Sequence, residues 1–237
     1  MSQKLNQVEI EYIVIDGHSS DNTIDEVTKA SVGDPRVRII SELDNGISEA
    51  MNKGVQLASG KLVFHLHFGD VLFADDVIQK VWQDHQKNKW KWAAGTLAIS
   101  KNGSKVETID FKPGCVTRLI RKNCVPHQAT FINRKLFIKA GGFDEKMKQA
   151  MDYDLWLRLF NLHKECLHVL PFVVASFDSS GESTKLVPLL QGNVVARTKM
   201  VQQYGVRTTP MNELLFFSRI IIYWTYYRIS MHLKAVF

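Results

Sequence analysis

Asp152 and Asp154 stand at the mouth of an apolar helix, in the run Gly141-Gly142-Phe143-Asp144-Glu145 through Met151-Asp152-Tyr153-Asp154-Leu155-Trp156-Leu157-Arg158. Leu155, Leu159 and Leu162 mark its buried stripe at i, i+4, i+7, with Trp156 beside them. A carboxylate on the first helical turn is held by free backbone N–H groups, so Asp154 reads as a cap. Asp152 falls just outside and can point elsewhere. An Asp-x-Asp before a helix is more often a capping pattern than a site, and it becomes chemistry only with company. Three more carboxylates supply it. Asp16, Asp44 and Asp70 each follow an apolar run, where a parallel strand would end or its loop begin.

The elements that must hold them alternate. Val8 to Ile15 predicts a buried strand stopping at Asp16-Gly17, and Thr23 with Glu26 predicts a capping box opening a helix to about Ala30. Arg36 to Ser41 is a second strand. Ile47, Met51, Val55 and Ala58 share one face of the next helix, which Gly60 ends. Lys61 to Leu66 is a third strand, and Asp75 caps a helix to about His85. This alternation predicts an α/β fold with a parallel sheet and helices on both faces. Ligands bind such sheets outside the carboxyl ends of the strands, where the three aspartates fall. From Trp92 the pattern changes: Trp92 to Ser100 and Lys105 to Ile109 flank Asn102-Gly103 as a hairpin, and Ala129 to Asn133 is another strand. A first half, 1–90, thus precedes a mixed half, 91–210, that carries Asp152, and the two are expected to share one sheet. An apolar-basic helix, 211–237, follows.

Composition bounds the partners. The 237 residues carry 30 Lys+Arg against 24 Asp+Glu, a net +6, which favours anionic partners. No nucleic-acid motif accompanies that charge. The N-terminus is polar and carries no signal peptide. Cys115, Cys124 and Cys166 have no metal-ligand spacing, and their odd number reads most simply as reduced thiols in a cytoplasmic protein.

Five pieces in this order resemble the inverting glycosyltransferases of family 2, which have the GT-A fold, most closely members that build capsule, O-antigen or colanic-acid-like polysaccharides. They are Glu11 to Thr23, Ser41 to Ile47 with Ala50-Met51-Asn52-Lys53-Gly54, the Asp70 loop, His127-Gln128-Ala129-Thr130-Phe131, and Gly141 to Arg158. The resemblance spans roughly residues 10–185. It implies a mixed, mostly parallel sheet and transfer of a sugar from a nucleotide-diphosphate donor to an acceptor hydroxyl, with Mn²⁺ or Mg²⁺.

On this resemblance Asp16 hydrogen-bonds the nucleotide base, although a turn-forming Asp before Gly17 reads equally well from the residues alone. Asp44, Gly46 and Asn52 are nucleotide-sugar residues, Gly46 letting the backbone approach the ligand. Asp70 is the metal ligand. It is the one carboxylate in His67-Phe68-Gly69-Asp70, where the family pattern has more. His67 reads as a contact to nucleotide or metal or, as is commoner for a loop histidine, as a packed or solvated side chain. Asp152 takes the place of the catalytic base, with Met151 where relatives carry an acid. His127 and Gln128 shape the acceptor side. The acceptor implied is a glycan or lipid-linked glycan. An Arg-Trp signature of processive synthases is absent, so a single sugar is added.

Two further expectations follow. Relatives begin with a strand and helix ahead of the strand that here starts at Val8, so the sheet is expected to lack its first strand. The segment from Leu214 to Arg228 is apolar and aromatic, with Arg219 and Arg228 bracketing a run too short to span a bilayer. It fits a peripheral place at the inner face of the cytoplasmic membrane, or a helix packed on the domain or on a second subunit. The alternative to catalysis is a degenerate member that binds a nucleotide sugar or a partner without turnover.

Overall fold

The computed structural model describes residues 3–6, 8–67, 69–101, 104–109, 119–178, 186–218, 220–222 and 225. The first strand, β1 (Tyr12–Asp16), is shorter than the apolar run predicts, and it pairs in parallel with β2 (Val37–Ser41). Helix α1 (Thr23–Ser31) lies between them in sequence. Its expected capping box does not form: Asn22 occupies the cap position without a side-chain bond, and Glu26 pairs with Lys29 instead.

Helix α2 (Ile47–Leu57) buries Met51 and Val55, while Ile47 at its first turn is exposed. Then come β3 (Leu62–Phe64), β4 (Val71–Leu72) and α3 (Val77–Asn88). Asp75 does not cap α3. It pairs with Lys4 at 2.7 Å, and Asp76 takes the cap position without a side-chain bond. The second half gives the hairpin β5 (Trp92–Lys101) and β6 (Ser104–Ile109), with its Asn-Gly tip outside the described residues. A single-turn 3-10 helix (His127–Ala129) leads into β7 (Thr130–Asn133) and α4 (Arg134–Lys139). Helix α5 (Met151–Asn161), β8 (His168–Asp178) and α6 (Leu186–Gln202) complete the frame, and residues 210–218 are again helical.

The halves do interleave. Strands β3 and β4 join β5, β6, β7 and β8 in one six-stranded sheet, whereas β1 and β2 form a two-stranded sheet of their own. The large sheet is mixed rather than mostly parallel, with β5–β8 its one parallel pairing among the described residues. The alternation of strands and helices could not show this, because β3 takes its neighbour, β7, from the second half.

Strand β5 is the centre. Its side chains alternate between two apolar clusters, as a period of two demands. Trp92 and Ala94 meet Met51, Val55, Leu155, Trp156 and Met200 on one face, and Ala93 and Leu97 meet Val77, Val81, Leu170 and Val174 on the other. Both faces are covered, so β5 reads as a continuous apolar run. Helix α5 is apolar nearly all round because Tyr153, Leu155, Trp156, Leu157 and Leu159 are all buried. Leu162 lies beyond the helix and is exposed. Cys124 is disulfide-bonded, against the expectation of reduced thiols, while Cys166 is free and exposed.

Candidate functional site

The carboxyl ends of β1 and β2 bring Asp16 and Asp44 together. Asp16 is buried and accepts from the Ser41 hydroxyl at 2.6 Å and from the Ser19 hydroxyl and N–H at 2.5 and 3.1 Å. These donors hold its carboxyl below the usual range, so it stays anionic. The Asp44 carboxylate lies over the adjoining turn: a Cβ at Gly17 would sit 2.8 Å from its Oδ2. Its Oδ1 accepts from the Gly46 N–H at 2.9 Å. Gly46 has φ 134°, a value side-chain-bearing residues rarely adopt, and directly precedes α2.

Asn52 is placed differently from the expectation. Its amide accepts from the Phe143 N–H at 2.9 Å and donates to the Phe143 carbonyl and to Glu145, each at 2.9 Å. A side chain so engaged brackets α2 to the segment before α5, and its pairing is internal. Ser48 adds a second tie, donating to the Met147 carbonyl at 3.1 Å. Lys53 pairs with Glu42 at 2.9 Å.

The far end of that segment is held by a network of charges around Asp154, the residue expected as a cap. Asp154 is wholly buried and makes no capping bond; the cap position belongs to Ala150, at φ 58°. Instead Asp154 accepts from Arg158 Nε and Nη2 at 2.9 Å each, from the Tyr204 hydroxyl at 2.5 Å, and pairs with Lys199 Nζ at 2.9 Å. Arg158 also donates to the carbonyls of Ala140 and Gly142, and Lys199 to Asp144 at 2.7 Å. Helix α5, helix α6 and the Gly141–Gly142 turn are thereby fixed to one another.

Asp152, one residue into α5, faces away from this network. Its Oδ2 accepts from Asn123 Nδ2 at 2.9 Å. Burial pushes its carboxyl above the ordinary value, against the lowering effect of Asn123 and of backbone N–H groups. Raised basicity in a fixed position is what proton abstraction calls for.

Three histidines form a cluster the sequence reading did not assemble. His67 Nε2 lies 3.0 Å from His127 Nε2, one donating and the other accepting. His65 stacks on His127 with ring centroids 5.6 Å apart, and His127 meets Phe143 edge-on. Burial lowers all three pKa values, His65 to about 4, so the cluster is neutral near pH 7. The signal available was His-x-His at the end of a strand, with a third histidine before β7. Gln128 is half-buried in the 3-10 turn beside His127.

Asp70 is buried in the turn between β3 and β4, its N–H donating to the His67 carbonyl at 3.0 Å. Among the described residues no group of three or more His, Cys, Asp or Glu could by itself hold a metal ion. One hard carboxylate donor does fit an Mg²⁺ or Mn²⁺ ion held mainly by substrate phosphate and water, since such ions often take one or two protein ligands.

A mixed sheet covered by helices, with carboxylates gathered at strand ends, is the arrangement of the GT-A fold. Solved structures bear out the fold. Staphylococcus aureus TarS 1–349 in complex with UDP aligns with TM-score 0.65 at 13% identity, covering 91% of this chain and 62% of TarS. The UDP-GlcNAc complex gives 0.67 at 12%, covering 91% and 64%. The chain thus spans somewhat under two thirds of these solved proteins. The family model "Glycosyl transferase family 2" matches residues 2–167, and the chain belongs to that family. Relatives include a "PGL/p-HBAD biosynthesis glycosyltransferase" of Mycobacterium bovis, 26% identical over 84% of this chain and 76% of its own length. The "Chondroitin synthase" of Pasteurella multocida is 27% identical over 68% of this chain and 17% of its own length.

Proposed function

We propose that residues 1–210 transfer one sugar from a nucleotide-diphosphate donor to an acceptor hydroxyl with inversion, in the synthesis of a bacterial surface polysaccharide or glycolipid. The observation that carries this reading is Asp152: a half-buried carboxylate of raised basicity, one oxygen of which accepts from Asn123, on a helix anchored by the Asp154 network. Asp16 and Asp44, with the backbone at Gly46, take the nucleotide side. That assignment is supported by TarS complexes with UDP and UDP-GlcNAc on the same fold. His127 and Gln128 line the acceptor side, the histidine held neutral by burial. Asn52 acts indirectly, by keeping α2 in register with the segment that leads to Asp152.

In the transfer the acceptor hydroxyl gives its proton to Asp152 as its oxygen attacks C1 from the face opposite the diphosphate, and the C1–O bond to the diphosphate breaks. Displacement in line inverts the anomeric centre. Asp70 would hold Mg²⁺ or Mn²⁺, which when bound supplies Lewis-acid stabilisation of the departing diphosphate. The acceptor is a glycan or lipid-linked glycan. The helix that begins at residue 210 supports contact with the inner face of the cytoplasmic membrane. Glu213 and Phe216 are clamped on Arg197, at 2.8 Å and with the guanidinium 4.5 Å from the ring centroid. Met211, Leu214, Phe217, Ile221 and Ile222 remain exposed. Among the described residues no helix is long and apolar enough to cross a membrane. Binding without turnover is the second reading, motivated by Asp70 being the sole carboxylate of its loop.

The deciding experiment is Asp152→Asn, assayed by transfer and by UDP binding. Transfer should fall at least 10²-fold, the usual contribution of a general base, with nucleotide affinity nearly intact. Turnover within about tenfold of wild type would remove Asp152 from the role.

A further inference from the structure

We infer that Asn123 is a positioning residue for Asp152: its amide fixes one carboxylate oxygen so that the other is presented to the acceptor hydroxyl. The inference rests on the reading of Asp152 as base, and its test is chosen to stand apart from turnover.

The geometry is specific. Asn123 Nδ2 donates to Asp152 Oδ2 at 2.9 Å. It reaches α5 from the segment between Leu119 and the 3-10 turn that carries His127, so it joins two separate parts of the site. The amide oxygen is buried and has no hydrogen-bond partner among the described residues. An amide kept for fold alone would be expected to satisfy both of its ends, since a buried orphan acceptor costs about 1–3 kcal/mol. Here one end is committed to Asp152 and the other has no partner among the described residues. Met151 cannot donate, and Tyr153 directs its hydroxyl to the Leu119 carbonyl at 2.5 Å.

The consequence is twofold. A carboxylate with one oxygen tethered has a fixed plane, which sets the direction from which a proton can be taken. A donor to the charged form also opposes burial, which acts to protonate Asp152. Asn123 thus keeps Asp152 anionic at a pH where burial alone would begin to neutralise it. Besides Asn123, backbone N–H groups also counter the burial of Asp152.

The test is a titration of Asp152 followed by carboxyl-carbon NMR in the full-length chain, its signal assigned by loss in Asp152→Asn. In Asn123→Ala the midpoint should rise by about one pH unit, the size expected for losing one hydrogen bond to a charged group. In Asn123→Ser, where a shorter donor remains, the rise should be smaller. In Asn123→Asp, a near-isosteric change that keeps the packing, two adjacent carboxyls should share one proton and titrate in two separated steps. Where transfer is measurable, Asn123→Ala should lower kcat with little change in KM for the donor, and its acid limb should move to higher pH by the same amount. An unchanged Asp152 midpoint in Asn123→Ala, with a lowered melting temperature, would make Asn123 a packing residue and overturn the inference. If Asn123→Ala does not fold, Asn123→Asp decides alone: a single unperturbed Asp152 step there refutes the contact. A shifted midpoint combined with full turnover in Asp152→Asn would instead leave the Asn123 contact standing and refute Asp152 as base.

Discussion

Neutralising Asp154 and neutralising Asp152 should have opposite consequences, although the two carboxylates lie two residues apart on one helix. Asp154 has no exposed surface and serves as the common counter-ion of Arg158 and Lys199, whose side chains are 11% and 17% exposed. In Asp154→Asn both cations lose that charge while remaining mostly covered, and breaking a buried pair typically costs about 3–5 kcal/mol. Lys199 keeps Asp144, and Arg158 keeps the carbonyls of Ala140 and Gly142, so the low end, about 3 kcal/mol, is expected. At a urea dependence of roughly 2–3 kcal/mol per molar, that moves the unfolding midpoint down by about 1 M with an unchanged slope. Asp152→Asn should do the reverse. Burial raises the Asp152 pKa in the folded chain, so its charged form is a cost above that pKa. Sign by sign, a raised folded pKa gives stability present below the unfolded value and lost as pH rises through the folded one. The Asn variant escapes that loss, so it should match or exceed wild-type stability at pH 7, and the advantage should shrink as pH falls toward 4. Equilibrium urea unfolding at several pH values measures both. A midpoint for Asp154→Asn within 0.3 M of wild type, or a marked destabilisation by Asp152→Asn at pH 7, would refute this division of labour.

Asp70→Ala should weaken UDP binding in Mn²⁺ much more than in EDTA, read by calorimetry; an equal loss in both would make Asp70 a loop-holding residue. Leu214→Glu with Ile221→Glu, on the exposed side of the C-terminal helix, should abolish co-sedimentation with vesicles containing anionic lipid while leaving UDP affinity unchanged. Undiminished vesicle binding, or a change from dimer to monomer on light scattering, would reassign that face.

The sequence by itself determined the order of the elements and the carboxylates at their ends. A short apolar run that breaks at Asp16-Gly17, and a helix face through Met51 and Val55, are local patterns that backbone sterics and burial translate directly into strand and helix. The positions of Asp16, Asp44 and Asp152 were legible for the same reason: each stands at or just beside the end of an element. The tertiary structure decided what those patterns leave open, because partners distant in sequence carry no local signal. That β3 pairs antiparallel with β7, that Asn52 serves Phe143, and that His67 meets His127 across 60 residues depend on the chain's return path. Asp154 shows the limit most sharply. At its helix mouth a cap and a buried counter-ion are written with the same letter, and Lys199 and Tyr204, folded back from beyond β8, determine which one it is.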